Sequence, residues 1–152
     1  THEDKEHLSD AVYGLPELYK DEVSKTSLVA NPGCYPTASL LELLPFANYI
    51  DESFPIFIDA KSGVSGAGKK CSDSTHYVSI NENIFAYKPF EHRHQPDITE
   101  KLKKYSGKDF DINFVPHLIP ATRGELIDSY MLLKEEIDPL KVLKEFYKDS
   151  YF

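Results

Sequence analysis

The turn Asn31-Pro32-Gly33-Cys34-Tyr35-Pro36 holds the first residues in this chain whose types and spacing suit chemistry. It joins a strand-like run at 26–30 to a helix-like run at 37–44. Gly33 permits a tight turn, and Pro36, which lacks an N–H and has a fixed φ, suits the first turn of a helix. The free N–H groups and the positive end of the helix dipole then face Cys34. That arrangement favours thiolate over thiol and would also hold a developing oxyanion. A free cysteine is most often a plain core residue; the loop-to-helix setting sets Cys34 apart.

A second chemical centre is His92-Arg93-His94, just ahead of a helix-like run at 97–105 that follows Pro96. A nucleophilic thiol needs a group to take its proton and later an acid to return one, and histidine suits both. Tyr87 lies a few residues upstream, where it could line the same pocket. Arg93 and Arg123 are the only arginines among 17 basic residues. The planar fork of arginine grips a carboxylate or phosphate at two points, although either could instead pair with one of the 25 acidic residues. His92, His94 and Asp97, with His117, could also form a nitrogen–oxygen zinc site. The spacing fixes no third ligand and a zinc beside Cys34 would quench it, so no metal is expected.

Residues 63–70, Gly-Val-Ser-Gly-Ala-Gly-Lys-Lys, come close to a phosphate loop. The position that should offer a hydroxyl to Mg²⁺ is Lys70, and no apolar-periodic helix follows. A flexible loop lining a substrate or cofactor crevice fits better.

The elements that must hold these groups read as one mixed domain over residues 1–152. Strands are expected at 26–30, 54–60, 77–80, 83–86, 111–115 and 127–134, and helices at 37–44, 97–105 and 139–147. Many strands and few intervening helices give an α+β fold, an antiparallel-rich mixed sheet with helices on one face. With 152 residues and 41% hydrophobic content the chain can bury a sizeable core. A net charge of −8 argues against a nucleic-acid partner. No apolar run approaches the roughly 20 residues of a membrane helix. Cys34 and Cys71 set no disulfide framework, so a reducing cytoplasm is the natural compartment.

NPGCYPTA at 31–38, preceded by AVYGLPELY at 11–19, resembles N-acetyl-gamma-glutamyl-phosphate reductase of arginine biosynthesis. SGVSGAGKK at 62–70, HRHQPDI at 92–98 and PHLIPATRGEL at 116–126 follow in the family's order. The resemblance implies the catalytic domain shared with glyceraldehyde-3-phosphate and aspartate-semialdehyde dehydrogenases, whose sheet also builds a subunit interface. It implies Cys34 as nucleophile and His92 as acid/base. His94, Arg93, Asp97, Tyr87 and Arg123 are then the substrate-binding candidates, and Ser62 and Gly63 flank substrate and cofactor. Asp97 stands where the family often carries glutamate. The implied reaction is NADP-dependent reduction of an acyl phosphate through a cysteine thioester, in a homo-oligomer. No Gly-rich dinucleotide fingerprint occurs in the sequence, so NADP is expected to be held mainly by an N-terminal domain outside it. A final C-terminal segment is expected outside it too. The domain alone is then expected not to turn over. A related acyl-phosphate reductase of lysine biosynthesis, a cysteine hydrolase using Cys34 and His92, and a non-catalytic assembly module stay open beside this reading.

Overall fold

In the computed structural model, which describes residues 6–150, the strands are β1 (Val12–Tyr13), β2 (Val29–Ala30), β3 (Ile56–Ser62), β4 (Phe85–Ala86), β5 (Ile112–Leu118) and β6 (Glu125–Tyr130). The helices are α1 (Pro16–Val23), α2 (Cys34–Leu43), α3 (Tyr77–Ile80), α4 (Gln95–Ser106) and α5 (Pro139–Phe146). The first five and last two residues of the expected 1–152 domain lie outside the described residues.

Alternation makes the long strands. Ile56, Ile58 and Ala60 of β3, with Ile112, Phe114 and Leu118 of β5, turn into the core, while Phe57, Asp59 and Lys61 turn out. β3 and β5 run parallel, in register from Ile56 opposite Ile112 to Ser62 opposite Leu118. β6 adds antiparallel to β3 and β4 antiparallel to β5, giving a 4-stranded sheet in the order β4-β5-β3-β6. The sheet is therefore mixed, with antiparallel ladders outside one central parallel pair, and the α+β expectation stands. β1 and β2 form a separate parallel pair.

α2 and α4 cover the inner face. Leu40 and Leu43 of α2 and Ile98 and Leu102 of α4 are fully buried against the sheet's isoleucines and Phe114. The Glu42 carboxylate fixes α2 to β6 by accepting from Ser129 N–H at 3.1 Å and Ser129 Oγ at 2.6 Å. α4 ends where Gly107 takes a φ of +71°, a left-handed turn that suits glycine. Asp138 caps α5, its Oδ1 accepting from the N–H groups of Leu140 and Lys141. The opposite face of the sheet carries exposed and partly buried side chains. There Lys61 Nζ bridges Asp59 Oδ2 and Asp128 Oδ2, each at 2.7 Å, between the exposed side chains of Phe57, Leu126 and Tyr130.

Some expectations fail here. Residues 77–80 are a helix, not a strand. A four-residue apolar run cannot distinguish the two periods, and the reciprocal Ser72–Thr75 capping box just before it starts helical turns. The expected strand at 26–30 shrinks to Val29–Ala30, and 83–86 shrinks to Phe85–Ala86. α1 was not expected: it is polar, buries no residue and is kinked at Tyr19, so it carries no apolar stripe to read. β6 begins two residues earlier than expected, which brings Glu125 into the sheet.

Candidate active site

The helix carrying Cys34 starts at the cysteine itself, three residues ahead of the expected start. Gly33 is its N-cap, and the Gly33 carbonyl accepts from Thr37 N–H at 3.0 Å and Thr37 Oγ1 at 2.9 Å, closing the first turn. The backbone N–H groups of Cys34 and Tyr35 consequently address the sulfur. These donors are also placed to hold negative charge on an oxygen next to it.

Around this turn the fold assembles a cleft of about 340 Å³. Cys34 and Tyr35 come from α2, Ser62 from the end of β3, Tyr87 and Lys88 from the loop after β4, and His92, Arg93 and His94 from the approach to α4. Tyr35 is almost fully buried; its hydroxyl lies 2.8 Å from that of Tyr87, and its ring stands edge-on to Phe114, His92 and His94. His92 is 9% exposed, and its Nδ1 accepts from the His94 N–H at 3.2 Å. A neutral ring so bonded carries its proton on Nε2. Burial pushes the His92 pKa down to about 4, aided by the neighbouring His94, Arg93 and Lys88, so the ring is neutral at pH 7. His94 is likewise lowered, by burial first and by Arg93 second, and its buried Nδ1 has no partner.

Lys88 and Arg93 stand exposed at the rim with no ion pair among the described residues, and Lys88 adopts a φ of 45°. Two unpaired cations beside a thiol make the cleft suitable for an anionic substrate.

The thiol itself departs from expectation. Although Cys34 is an exposed residue, partial desolvation of its sulfur in the cleft raises the thiol pKa to about 11, helped next by the Glu125 carboxyl, and these outweigh the backbone N–H groups that lower it. Sequence reading missed Glu125 although it stands inside the motif at 116–126, because only the β3–β6 register, Ser62 opposite Glu125, brings it to the sulfur. Tyr35 and Lys88 were missed too; each adjoins a residue that was singled out.

Other candidates sit elsewhere. Asp97 accepts a hydrogen bond from the Tyr13 hydroxyl at 3.3 Å and does not line the cleft. Arg123 is exposed, outside the lining and without an ion pair among the described residues. A Cβ on Gly63 would lie 2.8 Å from the Arg123 backbone, so that glycine serves close packing of two loops. Ser62 does line the cleft, its hydroxyl donating to the Gly63 carbonyl at 3.0 Å. Cys71 is exposed and not part of the lining. Among the described residues no group of three or more His, Cys, Asp or Glu side chains could hold a metal ion.

Gly33 offers a direct probe of this geometry. A Cβ there would meet His94 Nε2 at 2.5 Å and Cε1 at 2.7 Å, although its φ of −66° suits any residue. Gly33→Ala is expected to swing the His94 ring away from Cys34 at little cost in stability. For any reaction carried by Cys34, kcat/KM should fall by about tenfold or more while the melting curve barely moves, as misplacements near 1 Å can do. An unchanged kcat/KM would mean the ring's position is unimportant.

The fold and the cleft define a class of protein. The family model for the semialdehyde dehydrogenase dimerisation domain matches residues 34–152, and the chain belongs to that family. Among curated relatives, the N-acetyl-gamma-glutamyl-phosphate reductase of a Sulfurovum species is 60% identical over 99% of this chain. The enzyme of the same name from Methanococcus maripaludis is 44% identical over 95% of it. The resemblance read from the sequence motifs is thereby borne out. The chain spans 45% and 43% of the lengths of these two relatives. In fold it matches aspartate semialdehyde dehydrogenase II of Vibrio cholerae, a structure complexed with ASA, with a TM-score of 0.66 over 95% of this chain and 50% of that one, at 15% identity. The NADP-bound aspartate semialdehyde dehydrogenase of Candida albicans matches with a TM-score of 0.52 over 92% of this chain and 45% of that one, at 11% identity.

Proposed function

We propose that residues 1–152 are the catalytic and dimerisation domain of an NADP-dependent reductase. The enzyme converts N-acetyl-gamma-glutamyl phosphate to N-acetylglutamate semialdehyde, a step of arginine biosynthesis. The observation that carries this reading is Cys34 at a helix start, backbone donors on its sulfur, sharing one cleft with two histidines and two unpaired cations. The names of the relatives supply the substrate. The assembly is a homo-oligomer, in keeping with the family's description as a dimerisation domain. Its compartment is the cytoplasm, where exposed thiols such as Cys34 and Cys71 stay reduced. No helix among the described residues is long and apolar enough to cross a membrane.

Cys34 attacks the acyl carbon, and the N–H groups of Cys34 and Tyr35 hold the oxygen as it gains charge. Lys88 and Arg93 draw in the phosphate and stabilise it as it leaves, so that a thioester remains on Cys34. His92, neutral with its proton on Nε2, hydrogen-bonds the substrate oxygen and stabilises the charge that gathers on it until the aldehyde forms. His94 orients the substrate beside Gly33, and Tyr35 and Tyr87 close the inner wall. Asp97 and Arg123 act from outside the cleft, Asp97 by fixing Tyr13 against α4.

The residues present fit the edge of a nicotinamide site rather than a whole dinucleotide site. Ser62, Gly66 and Ala67 leave one wall of the cleft low, and a Cβ on Gly66 would press on Ser62 Oγ at 2.8 Å. NADPH supplies hydride to the thioester carbon when bound. It is held mainly by a nucleotide-binding domain outside these residues.

The test is turnover by the full-length enzyme, with mass spectrometry of the Cys34 peptide. N-acetyl-gamma-glutamyl phosphate should leave an acyl adduct on Cys34 when NADPH is withheld, and aldehyde should form when it is added. Residues 1–152 alone should form none. Preference for an aminoadipyl phosphate would transfer the enzyme to lysine biosynthesis. Absence of any Cys34 adduct would sink the mechanism.

A further inference from the structure

Lys88 adopts a backbone conformation that its sequence position disfavours. It precedes Pro89, a place where the chain ordinarily runs extended with negative φ, yet its φ is 45°. Phe90, on the other side of the proline, is left-handed too, with a φ of 61°. Such residues cost free energy and persist only where their surroundings hold them. Here β5 holds both sides of the turn. The Tyr87 N–H donates to the Pro116 carbonyl and the Phe90 N–H to the Phe114 carbonyl, each at 2.9 Å. The Glu91 N–H then closes the turn on the Lys88 carbonyl at 3.2 Å. What this strained turn contributes to the cleft is an ammonium group with no ion pair among the described residues.

The rest of the cleft is built to match. The chain has 25 acidic and 17 basic residues, yet the cleft is lined by Lys88 and Arg93 and, among the described residues, by no aspartate or glutamate. An acidic chain that keeps one cleft positive concentrates anions there. Ser72, Ser74 and Thr75 line the same cleft. Ser72 Oγ lies 3.1 Å from Ser74 Oγ and 2.9 Å from Thr75 Oγ1, so the three hydroxyls form one cluster. The capping box accounts for Ser72 and Thr75, and Ser74 takes no part in it.

We propose that Lys88 and the hydroxyls of Ser72, Ser74 and Thr75 form a subsite that holds inorganic phosphate by itself, so that released phosphate competes with incoming acyl phosphate. This rests on the acyl-phosphate reading for the source of the anion, and no bond is made or broken in it. The ammonium is a compact point charge on a flexible stem, and hydroxyl protons rotate to suit an acceptor. Together they suit an anion whose oxygens point in several directions, as those of phosphate do. A carboxylate, with two coplanar oxygens, is better matched by a guanidinium fork. The subsite shares one cleft with Cys34, so a phosphate held there occupies space that the substrate needs.

The experiment titrates inorganic phosphate into the full-length protein, without substrate or NADPH, and follows binding by phosphorus NMR. Wild type is compared with Lys88→Met, Lys88→Arg and Ser74→Ala. Lys88 and Ser74 are exposed, and Ser74 lies outside the capping box, so all three variants should fold. The wild-type Kd should be on the order of 1 mM, as for one small anion on a few polar groups. Lys88→Met should weaken binding about tenfold, Lys88→Arg should restore most of it, and Ser74→Ala should weaken it about threefold. The same Lys88→Met change should raise the inhibition constant of phosphate against acyl-phosphate turnover in parallel. No phosphate binding by wild type, or less than about a threefold loss in Lys88→Met, overturns the proposal. Acetate displacing phosphate at equal concentration overturns it as well, since the subsite would then serve a carboxylate. The NMR titration needs no turnover, so it decides even if the proposed reductase activity fails. Conversely, turnover with unaltered phosphate binding in Lys88→Met would sink the subsite and leave the reductase standing.

Discussion

Cys34→Ser is expected to reduce turnover by the proposed acyl-phosphate reductase by about 10⁴-fold or more, the scale seen when a covalent nucleophile is removed. Serine keeps the size of the side chain and its place on the first turn of α2, so the cleft and its backbone donors survive. What it loses is a sulfur that can ionise and attack. The comparison variant is Cys71→Ser, which changes an exposed thiol outside the cleft and should keep full activity. The pH behaviour of the native thiol adds a quantitative check. A thiol held up at about 11 is almost wholly protonated at pH 7, and its alkylation should speed up about tenfold with each pH unit until that value is approached. A half-point below the roughly 8.5 of free cysteine would mean that the N–H groups of Cys34 and Tyr35 outweigh burial and Glu125 after all. Retention of turnover in Cys34→Ser would remove covalent catalysis from the account entirely.

The reactive turn was legible because its chemistry is local. A glycine before the cysteine and a proline two residues after it predict a helix start, and α2 does start there. The alternating runs of β3 and β5 were legible for the same reason, since burial of every second residue follows from the pleat. The tuning of the site was not local. Glu125 reaches Cys34 only through the pairing of β6 with β3, and nothing near position 125 announces that register. The expectation of a favoured thiolate counted the helix N-terminus and could not count the burial that opposes it. Asp97, a substrate-binding candidate by the family resemblance, lies in the first turn of α4 against Tyr13 and outside the cleft lining, a placement that its sequence position does not announce.

Phe114→Ala is the substitution expected to cost the fold most, about 3–5 kcal/mol, or on the order of 10 °C in melting temperature for a chain of this length. Phe114 is fully buried at an inward position of β5, opposite Ile58 of β3 in the parallel register. Its ring also forms the floor of the site, 5.1 Å from Tyr35 and 5.5 Å from His92 between centroids. The cost of a truncation depends on whether neighbours can collapse into the space it leaves. Here they are restrained. Tyr35 is tied to Tyr87 by a hydroxyl contact of 2.8 Å, and His92 is tied to the backbone of His94. The cavity should therefore persist, and the loss should fall in the upper part of that range. Phe114→Leu, which keeps most of the volume, should cost about 1–2 kcal/mol. Leu140→Ala, at a side chain 66% exposed, should change stability by no more than about 0.5 kcal/mol. The two Phe114 variants also separate packing from catalysis. The leucine variant should stay folded yet lose turnover, because a branched aliphatic side chain cannot hold Tyr35 and His92 edge-on as the ring does. If Phe114→Ala melts within a degree or two of the native chain, then the site does not rest on this residue and its aromatic floor is only an accident of packing.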